Sequence, residues 1–262
     1  MATSLHAARP FERARANTGM STTGDAPSDA RRKMRALCLH GFAQDGATFR
    51  GKIGALRKAL KSHCEYVFLD APHDVAGAFD GDAETLRGMD TSTSATSSRA
   101  WFTSRENAER GAKRSCDEGW TRPAMSKTYD GWNETVDAIR RLIAAEGPFE
   151  GIIGFSQGAT AAVAALASIE ELRASVRFVV LVAGFEPLDE TMLEVTRAIS
   201  PIRIPSLHAH GDQDALVTRE RMNQLASHFD QSTREFFFHE GSHGVPTSLA
   251  KFAKAWIAGV CS

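Results

Sequence analysis

The chain has 262 residues and a formal net charge of −1, with 42% hydrophobic and 24% charged residues. This near-neutral balance provides no overall field that would attract nucleic acid or an anionic membrane. No apolar run reaches the roughly 18–20 residues that a membrane-spanning helix needs. The composition is typical of a soluble globular protein that can bury a core without disulfides or metal ions.

The first 33 residues differ from the rest of the chain. They carry Arg9, Arg13 and Arg15, and Glu12 is the only acid before Asp25. Two interpretations stand, a disordered tail and an organelle transit peptide, which tends to be rich in Arg and Ser and poor in acids. Both place residues 1–33 outside a folded domain that we expect at 34–262.

Strand and helix patterns alternate from residue 34 onwards. Strands are predicted at 34–40, 65–69, 149–155, 178–183, 204–209 and 235–238. Helices are predicted at 47–60, 130–145, 157–172, 219–229 and 247–257. Such alternation predicts an α/β fold with a mostly parallel, doubly wound sheet and helices on both faces.

An insertion at about 73–129 interrupts this alternation. It holds a Ser/Thr-rich stretch at 91–98 and a charged stretch at 105–118. Long excursions of this kind are either disordered or functional, often as a cap over an active site. We expect disorder near 88–98 and ordered cap elements around Trp101, Phe102 and Trp120.

A Gly-x-Ser-x-Gly motif at 154–158 provides a candidate nucleophile, Ser156. It lies between a predicted strand and a predicted helix, which is the context of a nucleophile elbow. Gly154 and Gly158 leave room where strand and helix pass closely. The alternative is a glycine turn with an incidental serine.

A serine hydroxyl needs a base, and the base needs a carboxylate that fixes its tautomer. In this fold the acid and the histidine follow later strands, in that order. Asp214 is favoured as the acid over Asp212, which is better placed to cap a turn. His243, in a loop before Pro246, is favoured as the base over His239 at the strand end.

Two backbone N–H groups should hold the oxyanion that develops during acyl transfer. One comes from the residue after the nucleophile, Gln157, and the other from the loop after the first strand, with Phe42 as the candidate. Gly41 lets that loop approach closely, and His40 is interpreted as a residue that holds the turn by hydrogen bonds.

Several motifs occur together in one order along the chain. They are Leu39-His40-Gly41-Phe42, Arg99-Ala100-Trp101-Phe102, Gly147-Pro148-Phe149, Gly154-Phe155-Ser156-Gln157-Gly158-Ala159, His208 with Gly211 and Asp214, and His239 with Gly241 and His243. This series, which spans about 34–260, resembles the FSH family of serine hydrolases, to which the ovarian-tumour-suppressor-candidate esterases of animals belong. Ser242 departs from the pattern, because the family often has a second glycine there.

The resemblance implies an α/β-hydrolase with a Ser156–Asp214–His243 triad, esterase or thioesterase activity, no cofactor and a cytosolic or nuclear setting. The acyl-protein thioesterases share the Gly-Phe-Ser-Gln-Gly elbow, but the Gly-Pro-Phe approach and the Trp101 segment favour the FSH family. Organelle targeting through residues 1–33 is the alternative location.

The expected substrate is a small acyl ester or thioester, and Trp101 and Phe102 are candidate substrate-binding residues. We expect no metal, because the four cysteines are scattered without zinc-ligand spacing and are predicted to be reduced thiols in an intracellular compartment. An acyltransferase and a ligand-binding homologue without turnover are the other hypotheses.

Overall fold

The structure, a computed structural model, describes residues 32–77 and 98–261. The predicted N-terminal extension lies outside these residues except for Arg32 and Lys33, and so does nearly all of the stretch near 88–98. Over the described ranges, no helix is long and apolar enough to cross a membrane.

Six parallel strands form the central sheet of the described chain. In chain order the strands are β1 Met34–Leu39, β2 Cys64–Leu69, β3 His73–Asp74, β4 Arg99–Ala100, β5 Thr103–Ser104, β6 Tyr129–Asp130, β7 Gly151–Phe155, β8 Phe178–Val182, β9 Ser206–Gly211 and β10 Arg234–His239. The central sheet has the order β10-β9-β8-β7-β1-β2, and every neighbouring pair in it is parallel. The predicted α/β class with a parallel sheet is thereby confirmed.

Helices connect these strands. They are α1 Gly46–Lys52, α2 Gly54–Ala59, α3 Arg105–Arg110, α4 Trp132–Glu146, α5 Gln157–Ser168, α6 Glu170–Ser175, α7 Glu190–Ala198, α8 Arg219–Ser227 and α9 Leu249–Val260.

The sheet separates two hydrophobic clusters, one on each face. Successive side chains of a strand point to opposite faces, and in β1 Leu37 and Leu39 join one cluster while Ala36 and Cys38 join the other. The first cluster includes residues of α4 to α8, and the second includes residues of α1, α2 and α9. Helices therefore cover both faces, as the sequence predicted.

Two predicted helices are each divided in the structure. The helix expected at 47–60 breaks at Ile53, between Gly51 and Gly54, where glycine lowers the helix propensity. The helix expected at 157–172 breaks at Ile169, whose backbone is extended. There the Arg173 guanidinium donates to the carbonyls of Leu166 and Ala167, which the helix end would otherwise leave open.

The insertion contains ordered elements close to the sheet. Strand β3 pairs antiparallel with β4, and β5 pairs antiparallel with β6. The chain between β5 and β6 forms α3 and a short 3-10 helix, Pro123–Met125.

The strand order creates a crevice at one edge of the sheet. From β1 the chain moves to β2 on one side, and after the insertion it returns to β7 on the other side. In open α/β sheets, ligands bind outside the carboxyl ends of the strands at such a switch point. The loops that follow β1 and β7, with Phe42 and Ser156, meet there.

Candidate active site

Ser156 lies on a sharp turn between β7 and α5. Its φ of 53° and ψ of −121° are unusual for a residue with a side chain. Its backbone N–H donates to the Val182 carbonyl at 2.8 Å, which anchors the turn to the neighbouring strand. The turn therefore matches the strained nucleophile elbow that the sequence predicted.

The two glycines of the motif stand where backbone meets backbone. A Cβ on Gly154 would lie 2.6 Å from the Ala159 Cα, and one on Gly158 would lie 2.3 Å from the carbonyl oxygens of Leu39 and His40. Neither neighbour is a flexible side chain that could turn away. The elbow thus requires glycine on both sides of the serine.

Gly158→Ala should lower the free energy of unfolding by about 3 kcal/mol or more, because the added methyl group forces β1 and α5 apart. Gly51→Ala is the matched control: no atom lies within 4 Å of its added Cβ, and alanine in α1 should stabilise the protein by about 0.5–1 kcal/mol. Urea unfolding followed by circular dichroism measures both changes. An unchanged midpoint for Gly158→Ala would contradict the close approach.

His243 connects the serine to an aspartate. Its Nε2 lies 2.9 Å from the Ser156 Oγ, and its Nδ1 lies 2.8 Å from the Asp214 Oδ2. Because the carboxylate only accepts hydrogen bonds, Nδ1 carries the proton and Nε2 is left to accept from the serine hydroxyl. The three residues that the sequence singled out therefore form one chain of hydrogen bonds.

The side chain of Asp214 is fully buried and accepts hydrogen bonds from several donors. Its Oδ1 accepts from the backbone N–H groups of Leu216 and Val217, both at 2.9 Å, while Oδ2 accepts from His243. Burial alone would raise the pKa of Asp214, but the hydrogen bonds from His243 and from the backbone of Val217 and Leu216 outweigh it and hold that pKa below its ordinary value. The carboxylate stays ionised at neutral pH.

The alternatives for acid and base have other partners. Asp212 forms an ion pair with Arg219 at the surface, and its backbone N–H donates to the His239 carbonyl. The Nδ1 of His239 accepts from the Gly241 N–H at 3.1 Å. Both residues thus hold the loops after β9 and β10, and neither is hydrogen-bonded to Ser156 or to His243.

These two loops pack directly on each other. A Cβ on Gly211 would lie 2.3 Å from the Gly241 carbonyl oxygen and 2.5 Å from that of Ser242, while the Gln213 N–H donates to the Gly241 carbonyl. The loop that carries Asp214 and the loop that carries His243 are therefore in direct backbone contact. Ser242, which departs from the family pattern, enters this contact through its carbonyl group.

The loop after β1 is held by the buried His40. Its Nε2 accepts from the Ala71 N–H at 3.0 Å, so its Nδ1 carries the proton and donates to the Gly41 carbonyl at 2.8 Å. Burial lowers the pKa of His40, which agrees with a neutral ring. The side chain fixes the turn that carries Phe42, as the sequence predicted.

Trp101 and Phe102 lie in the core. Both side chains are fully buried, and neither lines the cleft around Ser156. The Trp101 indole N–H donates to the His40 carbonyl at 2.7 Å, and the Phe102 ring stacks on Tyr129 at 4.1 Å between centroids. The expectation that these two aromatic residues bind substrate is therefore wrong. They brace the β1 loop and the insertion against the sheet.

The side chain of Gln157 has a role that the sequence reasoning missed. Its Oε1 accepts from the Trp101 N–H at 2.9 Å, and its Nε2 donates to the Phe102 carbonyl at 2.8 Å. It is buried at the start of a helix that is otherwise made of small and apolar residues. A lone amide side chain in such a helix needs buried hydrogen-bond partners. This requirement is the sequence signal that indicates a structural role for the Gln157 side chain.

Gln157→Leu should lower the free energy of unfolding by about 2–5 kcal/mol, because it leaves the buried Trp101 N–H and Phe102 carbonyl without partners. Gln224→Leu changes an exposed residue of α8 in the same way and should shift that free energy by less than about 0.5 kcal/mol. Chemical unfolding of both variants makes the comparison. Equal stabilities would show that the amide does not join elbow and insertion.

Ser156 opens into a cleft with largely apolar walls. The lining includes Phe42, Phe185, Leu216 and Val217 from loops of the sheet, with Trp120, Pro123 and Ala124 from the insertion. Arg221 supports two of these walls: it donates to the Ala124 carbonyl, and its guanidinium lies 5.0 Å from the centroid of the Phe185 ring. The cleft is also lined by three polar residues, Gln157, His243 and Arg122. Of the cap candidates, Trp120 lies at the site and Trp101 and Phe102 do not.

Phe42 and Gln157, the predicted oxyanion donors, both border the same cleft as Ser156. The cleft thus combines a nucleophile, a base and two loops that can offer N–H groups. In the part of the chain that the structure describes, no cluster of His, Cys, Asp or Glu could hold a metal ion.

The chain is similar to known serine hydrolases over most of its length. The sequence profile of the family described as "Serine hydrolase (FSH1)" matches residues 30–255. Esterase OVCA2 of Danio rerio is 36% identical over 223 residues, which cover 82% of this chain and 91% of the relative. Esterase C25G4.2 of Caenorhabditis elegans is 34% identical over 230 residues, with 87% and 92% covered.

A solved structure shares the architecture. That of Arabidopsis thaliana SOBER1 matches with a TM-score of 0.55 and covers 88% of this chain and 100% of that chain. The two sequences are 17% identical, so this likeness concerns the fold alone.

Proposed function

The chain belongs to the FSH1 family of serine hydrolases, and from this premise we propose that it hydrolyses carboxylic esters or thioesters through an acyl-enzyme on Ser156. The hydrogen-bonded chain from Ser156 through His243 to Asp214, at 2.9 and 2.8 Å, carries this proposal. It supplies what a serine needs in order to act as a nucleophile, a base within reach and a carboxylate that orients the base.

In the first half-reaction the Ser156 Oγ attacks the carbonyl carbon while His243 Nε2 takes its proton. The carbonyl π electrons move to the oxygen, where the N–H groups of Phe42 and Gln157 stabilise the negative charge. When the tetrahedral intermediate collapses, the bond to the leaving alkoxide or thiolate breaks. The leaving group takes the proton from the imidazolium, and the acyl group stays on Ser156.

In the second half-reaction water takes the place of the serine hydroxyl. His243 accepts a proton from the water as its oxygen attacks the acyl carbon, and it then returns the proton to Ser156 Oγ as the acid leaves. Asp214 keeps its charge throughout and stabilises the imidazolium that forms twice per turnover. The apolar walls around Ser156 support an acyl group with apolar character.

A panel of para-nitrophenyl esters and matched thioesters of graded acyl length tests the proposal. We expect saturable hydrolysis and a burst of nitrophenolate when deacylation is slower than acylation. The ratio of kcat/KM between ester and thioester at each length defines the substrate class. Absence of turnover on every member would contradict the proposed activity.

A further inference from the structure

An arginine lines the cleft beside the nucleophile. Arg122 follows Trp120 in the insertion, precedes the 3-10 helix at Pro123, and borders the same cleft as Ser156 and His243. No Asp or Glu side chain lines this cleft within the described ranges. Arg122 therefore borders a largely apolar cleft whose described lining includes no carboxylate that could balance its charge.

Arg122 differs in this respect from its neighbours. Arg221 donates to two backbone carbonyls and lies over an aromatic ring, and Arg105 pairs with Asp130 at 2.7 Å. For Arg122, the described residues provide no hydrogen-bond acceptor, ion pair or ring contact to the side chain. A partly buried arginine of this kind keeps its five donors available for a ligand.

The single positive charge of Arg122 favours a ligand with a single negative charge. An arginine binds a carboxylate or a phosphate through paired N–H groups. A phosphate monoester carries about −1.5 to −2 charges at neutral pH, so one guanidinium would leave negative charge in an apolar cleft. A single carboxylate carries one charge, which Arg122 balances.

We propose that the substrate is an ester or thioester that carries a carboxylate, and that this carboxylate binds Arg122 while the scissile carbonyl lies at Ser156. The inference rests on the proposed function and refines its substrate class. The guanidinium then acts as a specificity determinant that orients the substrate, while the apolar walls contact its hydrocarbon part.

Two pairs of esters test the proposal and locate the carboxylate. On the acyl side, para-nitrophenyl hydrogen glutarate is compared with para-nitrophenyl methyl glutarate, in which the carboxylate is masked. On the alcohol side, para-carboxyphenyl pentanoate is compared with phenyl pentanoate. Each ester is assayed with wild type and with Arg122→Met, so that differences in leaving-group reactivity cancel between the two enzymes.

Arg122→Met should lower kcat/KM about 10- to 100-fold for the carboxylate ester of one pair, mainly through KM, as expected for loss of a charged hydrogen bond. Its neutral partner should change by less than about threefold. Arg122→Lys keeps the charge but not the paired donors, so it should retain part of the preference. Added salt should weaken the preference in wild type, because Arg122 is a partly exposed residue.

Arg141→Met is the matched control, since Arg141 is exposed on α4 and does not line the cleft. It should leave both pairs unchanged, and thermal unfolding checks that each variant is folded. Equal losses on charged and neutral esters, or no loss on any of the four, would overturn the role of Arg122 and leave the hydrolase assignment intact. If wild type hydrolysed no ester at all, the proposed function itself would fail.

Discussion

Ser156→Ala is expected to lower the turnover of carboxylic esters by a factor of about 10⁴–10⁶. The substitution removes the atom that forms the acyl-enzyme and leaves His243 without a hydroxyl to activate. The residual rate then depends on the N–H groups of the cleft and on binding alone. Steady-state assays with the best ester of the graded panel measure kcat and KM, and we expect the loss in kcat.

A matched control separates loss of the nucleophile from loss of the fold. Ser227 is exposed on α8, and Ser227→Ala should keep wild-type kinetics. A fluorophosphonate probe should label wild type and Ser227→Ala at Ser156 and should not label Ser156→Ala, because only an activated serine reacts. Turnover retained by the alanine variant would refute the assignment.

The same probe separates the competing functions. A ligand-binding homologue without turnover would remain unlabelled although its fold is intact. An acyltransferase would be labelled, but in the presence of a competing alcohol or amine it would release an acylated acceptor in place of the free acid. Product analysis by mass spectrometry distinguishes this outcome from hydrolysis.

Sequence patterns predicted most of the fold because its signals are local. The apolar run at β8 and the strand–turn–helix around Ser156 each lie within about ten residues, where periodicity and glycine positions are informative. Asp214 and His243 were selected by chain order and strand ends, and the structure places both within hydrogen-bond distance of each other. Parallel strands that end at one edge of a sheet make such a meeting predictable.

The contacts of the insertion could not be predicted in the same way. Trp101 and Phe102 are large aromatic residues in a long excursion, and their sequence does not distinguish a cleft wall from a buried brace. What decides is Gln157, 56 residues from Trp101, whose amide bonds the backbone of both aromatic residues. Such long-range side-chain contacts have no periodicity and appear only when the chain is folded.

Helix α7 is an element that the sequence patterns left out for a different reason. The sequence reasoning assigned no element to residues 190–198, although Asp189 caps this helix by accepting from the Met192 N–H at 2.9 Å. The other carboxylate oxygen of Asp189 accepts from the Tyr129 N–H at 2.8 Å. An aspartate before an acidic first turn was a usable helix signal, whereas its bond to the insertion was not visible in the sequence.

Asp214→Asn is expected to lower kcat about 10⁴-fold near neutral pH, although it changes a single atom. Oδ1 already accepts from the N–H groups of Leu216 and Val217, so the asparagine oxygen will occupy that position. Its NH₂ group then faces His243 Nδ1 and donates to it, which moves the imidazole proton to Nε2. A protonated Nε2 cannot accept the proton of Ser156.

The matched change is Asp212→Asn, two residues earlier in the same loop. It removes a half-exposed ion pair with Arg219, and exposed pairs of this kind contribute little, so kcat should change by less than about threefold. The pair of variants separates the tautomer of His243 from the general integrity of the loop, because both keep the loop backbone and lose one negative charge. If both lost activity equally, loop charge would be responsible. If only Asp214→Asn lowers kcat, the activity depends on a proton at Nδ1 of His243. That proton position leaves Nε2 free to act as the base.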